Sequence, residues 1–293
     1  MKNRSFGKKH FRAICFVLLS ALPASVHAAG VAPAVSLSGQ ATYGAYGGSE
    51  QRKDIFSESA ALVYQPPTGM GASILGRDET LHRKDGLSTV RETDAGLSLF
   101  ETAGIGRDGY LSVCGSFTRI FSDDRDSDRT NILYGAVSGK LPESSLYLDL
   151  GVARSGYAST SARQVTATAG FQLFDPRLYL RTRLFYINLS SPVEGERNSV
   201  ALEERLYWYL LPGRLTLTLY GLAGRRVHAY DPDTGIPYTQ PDIQRGSAGL
   251  TALYAVTPAL RLYLDETGEA YRNDSIDNRY IGVYSTLGVA YTF

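Results

Sequence analysis

Apolar and polar residues alternate one by one through most of this chain. In 35–46, Val35, Leu37, Ala41 and Tyr43 share one face, and Ser36, Ser38, Gln40 and Thr42 share the other. Residues 144–153 set Leu146, Leu148, Leu150 and Val152 against Tyr147, Asp149, Gly151 and Ala153. The stretches 164–174, 177–186 and 214–223 repeat the pattern, and the chain ends on it, with Ile281, Val283, Leu287, Val289, Tyr291 and Phe293 on one edge. A period of two predicts strands with a single apolar face. About fourteen such segments follow one another: 35–46, 56–65, 69–79, 90–101, 109–121, 130–141, 145–155, 164–174, 178–189, 199–210, 214–226, 246–256, 259–269 and 280–293. Pro66, Pro67 and nearby glycines blur the hairpin at 56–79, so twelve or sixteen strands are the alternatives.

The connections alternate as well. Short turns rich in Pro and Gly occupy 65–69, 141–145, 174–177, 211–214 and 257–258. Longer polar loops are expected at 47–54, 81–88, 122–129, 155–163, 190–197, 228–244 and 271–278. Tight turns at one end and long charged loops at the other are the asymmetry of bacterial transmembrane barrels. The loop at 228–244 is the longest, carries three Pro, and is placed either to cap the pore or to fold into it.

Residues 1–28 stand apart. A basic start (Lys2, Arg4, Lys8, Lys9, Arg12), an apolar run over 13–22 and small residues ending at Ala28 read as a secretory signal peptide. The chain is therefore divided into 1–28, removed on export, and 29–293, one β domain. Beyond residue 28 there remain 25 basic against 29 acidic side chains, a formal charge of −4. That balance argues against nucleic acid as a partner. Cys114 is then the one thiol left, so no internal disulfide holds the fold.

A soluble sandwich would pack its apolar faces on each other, whereas a closed barrel turns them to lipid and pairs every backbone group between strands. Aromatics near the ends of apolar faces (Tyr43, Phe117, Phe121, Tyr186, Trp208, Tyr291 and Phe293) suit girdles at the two membrane interfaces. The expected fold is all-β, a transmembrane antiparallel up-and-down barrel. The final strand, with Tyr291 and a terminal Phe293, resembles the C-terminal signature of Gram-negative outer-membrane β-barrel proteins. The resemblance implies the outer membrane as location, its lipid and lipopolysaccharide as surroundings, and the barrel assembly machinery as a partner that reads Tyr291 and Phe293. It names the class without a solute.

With the apolar faces outside, the lumen receives Asp94, Asp149, Arg181, Arg183, Glu203, Arg205, Arg261 and Asp265, with Tyr179, Tyr207 and Tyr263 among its aromatics. Arg181 and Arg183 on one strand face Glu203 and Arg205 on the next, which predicts paired ladders; charges of both signs predict a transverse field that biases polar solutes, and equally such pairs brace the wall. Asp124, Asp126 and Asp128 sit at alternate positions, as weak candidates for a hard cation, although Arg129 occupies the place where a calcium loop wants Gly. His82 and His228 are the histidines beyond the leader, and a proton shuttle of His228 with Asp231 or Asp233 is the available catalytic arrangement. The expectation is a monomeric passive channel for small hydrophilic solutes, without a cofactor and without enzymatic activity. The alternatives are a polysaccharide export port with periplasmic partners, a barrel enzyme acting on lipid or peptide, and a surface adhesin.

Overall fold

A computed structural model describes residues 34–239 and 242–293. The division at residue 28, and the signal peptide with it, lies outside the described residues. Fourteen strands run in chain order: β1 (Ala34–Gly47), β2 (Arg52–Gln65), β3 (Gly69–Arg83), β4 (Val90–Ile105), β5 (Gly109–Ser122), β6 (Asn131–Lys140), β7 (Tyr147–Gly156), β8 (Ser161–Gln172), β9 (Leu178–Val193), β10 (Glu196–Leu211), β11 (Leu215–Arg226), β12 (Ile243–Ala255), β13 (Leu260–Asn273) and β14 (Asn278–Thr292). Each pairs antiparallel with its neighbours in sequence, and β1 with β14 closes the barrel through pairs from Ser36 and Thr292 to Gly47 and Ile281. Closure leaves no open sheet edge, which is what hydrocarbon demands of a spanning sheet.

The period-two pattern sets the two faces. Leu62, Ile74, Leu97, Val113, Leu133, Leu150, Leu184, Leu219, Leu264 and Leu287 all point outward and are exposed. Tyr64, Phe171, Trp208, Tyr254, Tyr291 and Phe293 ring the short-turn end of this band, while Tyr43, Phe56, Phe117, Phe121 and Tyr186 ring the other; all are exposed. Most inward positions are small or polar, and Ile55, Leu81, Ile120, Ile132, Phe185, Ile187 and Leu189 form apolar patches among them. Several lumen tyrosines lie flat on the wall, and a Cβ at Gly44 or Gly170 would collide with the ring of Tyr284 or Tyr179. These glycines are needed for the close approach of the rings.

One expectation about the loops is corrected. The polar run at 190–197 is largely strand and those at 81–88 and 271–278 are partly strand, so the connections become 84–89, 194–195 and 274–277. Glu194 (φ 49°) and Gly195 (φ 75°) make a two-residue hairpin turn. Above the membrane both faces of a strand meet water, so the apolar alternation ends there while the backbone ladder continues. The connection between β5 and β6 keeps its expected length, and that between β11 and β12 remains the longest.

Candidate functional site

The β11–β12 connection, called the strap below, enters the barrel. Its first residues are the kind that bury: Val227, His228, Ala229 and Tyr230 are each 3% exposed or less. Val227 and Ala229 pack with Tyr157, Ala162, Ile187 and Leu189 on the inner wall. Tyr230 packs with Ile120, Ile132 and Tyr134. Its hydroxyl shares a 2.9 Å hydrogen bond with Ser116, and its backbone N–H and C=O are clamped by Gln164 at 2.9 and 2.7 Å.

Beyond Tyr230 the sequence Asp-Pro-Asp-Thr-Gly turns the chain back. The Asp233 N–H donates to Asp231 Oδ1 (2.9 Å), the Gly235 N–H to the Asp231 carbonyl (2.9 Å), and the Tyr238 N–H to the Ala229 carbonyl (2.6 Å). Aspartate and glycine supply such a turn by side-chain capping and by a positive φ, here 71° at Gly235. The strap is thus a small hairpin inside the lumen. A Cβ on Gly235 would touch Leu75 of β3 at 3.5 Å, so its tip reaches the side of the barrel opposite β9 and β10.

The tip carries Asp233 into an arginine cluster. Arg181 donates to both its oxygens, Arg183 Nη2 lies at 2.6 Å and Arg205 Nη1 at 3.5 Å. Burial pushes the Asp233 carboxyl upward, and the three guanidiniums more than offset it, holding it well below the ordinary carboxylate range. The wall contributes one carboxylate here: Arg205 donates to Glu203 at 2.9 and 3.0 Å. Glu203 pairs across the strands with Arg183, and Arg205 with Arg181, in the ladder expected from sequence. Arg183 Nε also donates to Thr168 (3.0 Å), whose hydroxyl reaches Asp149 (3.4 Å). Arg181 lies over the Tyr207 ring, and Tyr207 meets Tyr179 at 5.9 Å. Six of the expected lumen charges and aromatics on β9 and β10 therefore form one site.

The other expected residues are elsewhere. Asp94 belongs to a second cluster on β3 and β4, six strands away around the circle. There Arg77 donates to Asp94 (2.7 Å), Glu92 (2.8 Å) and Glu79 (2.9 Å). Asp265 accepts from Thr251 (2.6 Å), Thr267 (2.7 Å) and Tyr220 (3.1 Å). Arg261 and Tyr263 face inward on β13 and are half-buried. Tyr291 and Phe293 meet ring to ring at 4.9 Å on the outer wall.

Two candidates fall on geometry. Among the described residues, no three His, Cys, Asp or Glu side chains are arranged to hold a metal ion. Asp124, Asp126 and Asp128 instead accept backbone N–H groups of Asp126, Ser159 and Ser122 and so brace their own loop. His228 does not pair with Asp231 or Asp233. It stacks on Tyr157 at 4.0 Å, with a left-handed φ of 49°, and burial pushes its imidazole down to about 4. His82 makes a rim contact with Asp54 (2.5 Å).

The return limb fastens the strap on the far side. Tyr238 stacks on Tyr271 with centroids 6.2 Å apart, and Thr239 donates to Glu92 at 3.0 Å. Asp242 is held by Arg52, Tyr280 and Asn273. The sequence reading passed over Arg77, Glu79 and Glu92, although all share the inward parity of their strands. It also passed over Gln164 and Arg52. For the strap the available signal was Val227, Ala229 and Tyr230, buried-type residues in a chain whose other loops are polar.

No protein-family model matches the sequence, and no curated protein sequence matches it either. Solved structures do match. TodX, a monoaromatic hydrocarbon channel solved as a deltaS2S3 mutant, superposes over 93% of this chain and 92% of its own, with a TM-score of 0.59 and 8% identity. A Pseudomonas aeruginosa FadL homologue covers 89% of this chain and 90% of its own, at 0.52 and 10%. The Ralstonia pickettii toluene transporter TbuX covers 92% and 91%, at 0.51 and 10%. At such identity the likeness is one of fold.

Proposed function

The chain has the fold of outer-membrane β-barrel proteins, and from that premise we propose that it is an outer-membrane channel for small hydrophilic solutes, constricted by its own strap. The observation that carries this reading is the pair of charged walls. On β9 and β10, three arginines face one wall carboxylate; on β3 and β4, one arginine faces three. A lumen with opposite charge on opposite sides orients polar solutes and favours those that replace the water lost by the walls. TodX and TbuX are named for aromatic hydrocarbons. A hydrocarbon would gain little here, since desolvating ionised side chains without compensation is costly.

Swelling of liposomes that hold the purified protein tests the proposal. With uncharged sugars of graded size, small sugars should enter slowly through the intact protein and faster through a form in which residues 229–238 are replaced by a short Gly-Asn turn. If neither form admits any sugar while both are folded, the channel reading fails.

A further inference from the structure

We propose that the outer wall over β12–β14 binds the phosphate-bearing headgroup of a membrane lipid. A cleft of about 530 Å³ opens there, lined by Gly47, Arg245, Ala270, Arg272, Arg279 and Ile281. It lies at the long-loop edge of the apolar band, and its lower rim continues into Ile281 and Val283, which are 56% and 54% exposed.

Three features mark it as a binding place. Arg272 and Arg279 are direct partners across the β13–β14 ladder. Like charges directly opposite each other destabilise a sheet unless an anion lies between them. Arg245 joins them through a register shift between Gln244 and Gly246. The extra residue lets Gln244 stay inside, where Arg226 donates to it at 2.8 Å, while Arg245 is exposed on the outside. Finally, Arg245 and Arg279 make no ion pair among the described residues, whereas Arg272 meets Asp274. Of the other outward arginines near that level, Arg119 donates to Asn131 and lies over Phe121, and Arg225 pairs with Glu196, whereas Arg154 and Arg163 face each other across β7 and β8 without an ion pair among the described residues.

Guanidinium forks match phosphate oxygens in geometry and charge. Gly47 carries no side chain, and Ala270 carries only a methyl group, so the space beside the forks stays open to a bulky headgroup. The apolar rim below supplies a surface for its acyl chains. A soluble phosphate would use the forks but not the rim, so the occupant is a lipid. The inference needs the long-loop end to meet the membrane surface, and it does not depend on conduction.

The test is binding by native mass spectrometry of the intact barrel released from neutral detergent. The probes are a bisphosphorylated diglucosamine lipid, the same lipid without phosphates, and inorganic phosphate. The phosphorylated lipid should bind at least about tenfold more tightly than the dephosphorylated one, and R245Q/R279Q should remove that advantage. R119Q should keep it, and R245K/R279K should retain part of it, because charge survives while the fork is lost. Heat-modifiable gel mobility will report whether each variant is folded. Equal binding of both lipids, or an undiminished preference in folded R245Q/R279Q, overturns the proposal. Binding of inorganic phosphate as tight as that of the lipid overturns the choice of occupant.

Discussion

The two charged walls of the lumen are completed in different ways. On β3 and β4, Arg77 finds all three of its carboxylate partners on its own and the adjacent strand, so this wall is closed by the barrel alone. On β9 and β10, Arg181, Arg183 and Arg205 share Glu203, and their second carboxylate, Asp233, arrives from a loop. The first cluster forms as soon as the strands pair. The second is finished only when the strap docks. Buried charges left unpaired are among the costliest defects a fold can carry, so the arginine wall both attracts the strap and depends on it.

The contrast can be broken on the strap side first. Asp233→Asn should cost the docked strap about 4 kcal/mol, since three buried guanidiniums would lose the carboxylate they share, leaving Glu203 and a distant Asp231. Limited proteolysis should cut within 228–239 far faster than in the parent while the barrel stays intact. On the other wall, Arg77→Gln should lower the stability of the whole barrel by about 3 kcal/mol. Its effect on strap cleavage should be small, because among the described residues a single hydrogen bond, from Thr239 to Glu92, joins that cluster to the strap.

Acid should loosen the strap through His228. Its packed imidazole titrates near 4 and the free one near 6.5, so the released strap binds the proton more readily. Docking is therefore at full strength above about 6.5 and weakens as pH falls toward 4, by up to about tenfold per pH unit. Asp126, which faces the ring, opposes part of this. Asp233 has the same sign in a lower window: its value is lowered by docking, so its contribution stays whole above the ordinary carboxylate range and is lost as the pH falls below it. Strap cleavage measured between pH 7 and 5 should rise roughly 20-fold in the parent and stay flat in His228→Asn, which tolerates the left-handed backbone. The smallest effect expected is that of Gln164→Leu. It strands the Tyr230 N–H and C=O, costs about 1–2 kcal/mol and raises cleavage without changing its pH dependence.

Most of the barrel was legible in the sequence because lipid enforces a strict alternation. Leu148 and Leu150 had to face out, and so Asp149 had to face in. The ladder of Arg181, Arg183, Glu203 and Arg205 followed from parity and from hairpin order. The reading weakened wherever lipid no longer acts. Above the membrane, strand and loop have the same polar composition, and the ends of β9 and β13 were lost there. The strap was harder still. Asp233 lies 50 residues from Arg183 and 52 from Arg181, and no periodicity links a turn aspartate to a distant wall. Only the apolar Val227–Tyr230 segment hinted that this loop seeks an interior.

Single-channel conductance in planar bilayers tests the central claim most directly. Comparing the parent with Asp233→Asn at neutral pH, the strap account predicts a larger conductance in the variant and a shift toward anion selectivity, as the freed arginines line an open passage. Equal conductance and equal selectivity in two folded barrels would mean that the Asp233 contact does not govern the lumen.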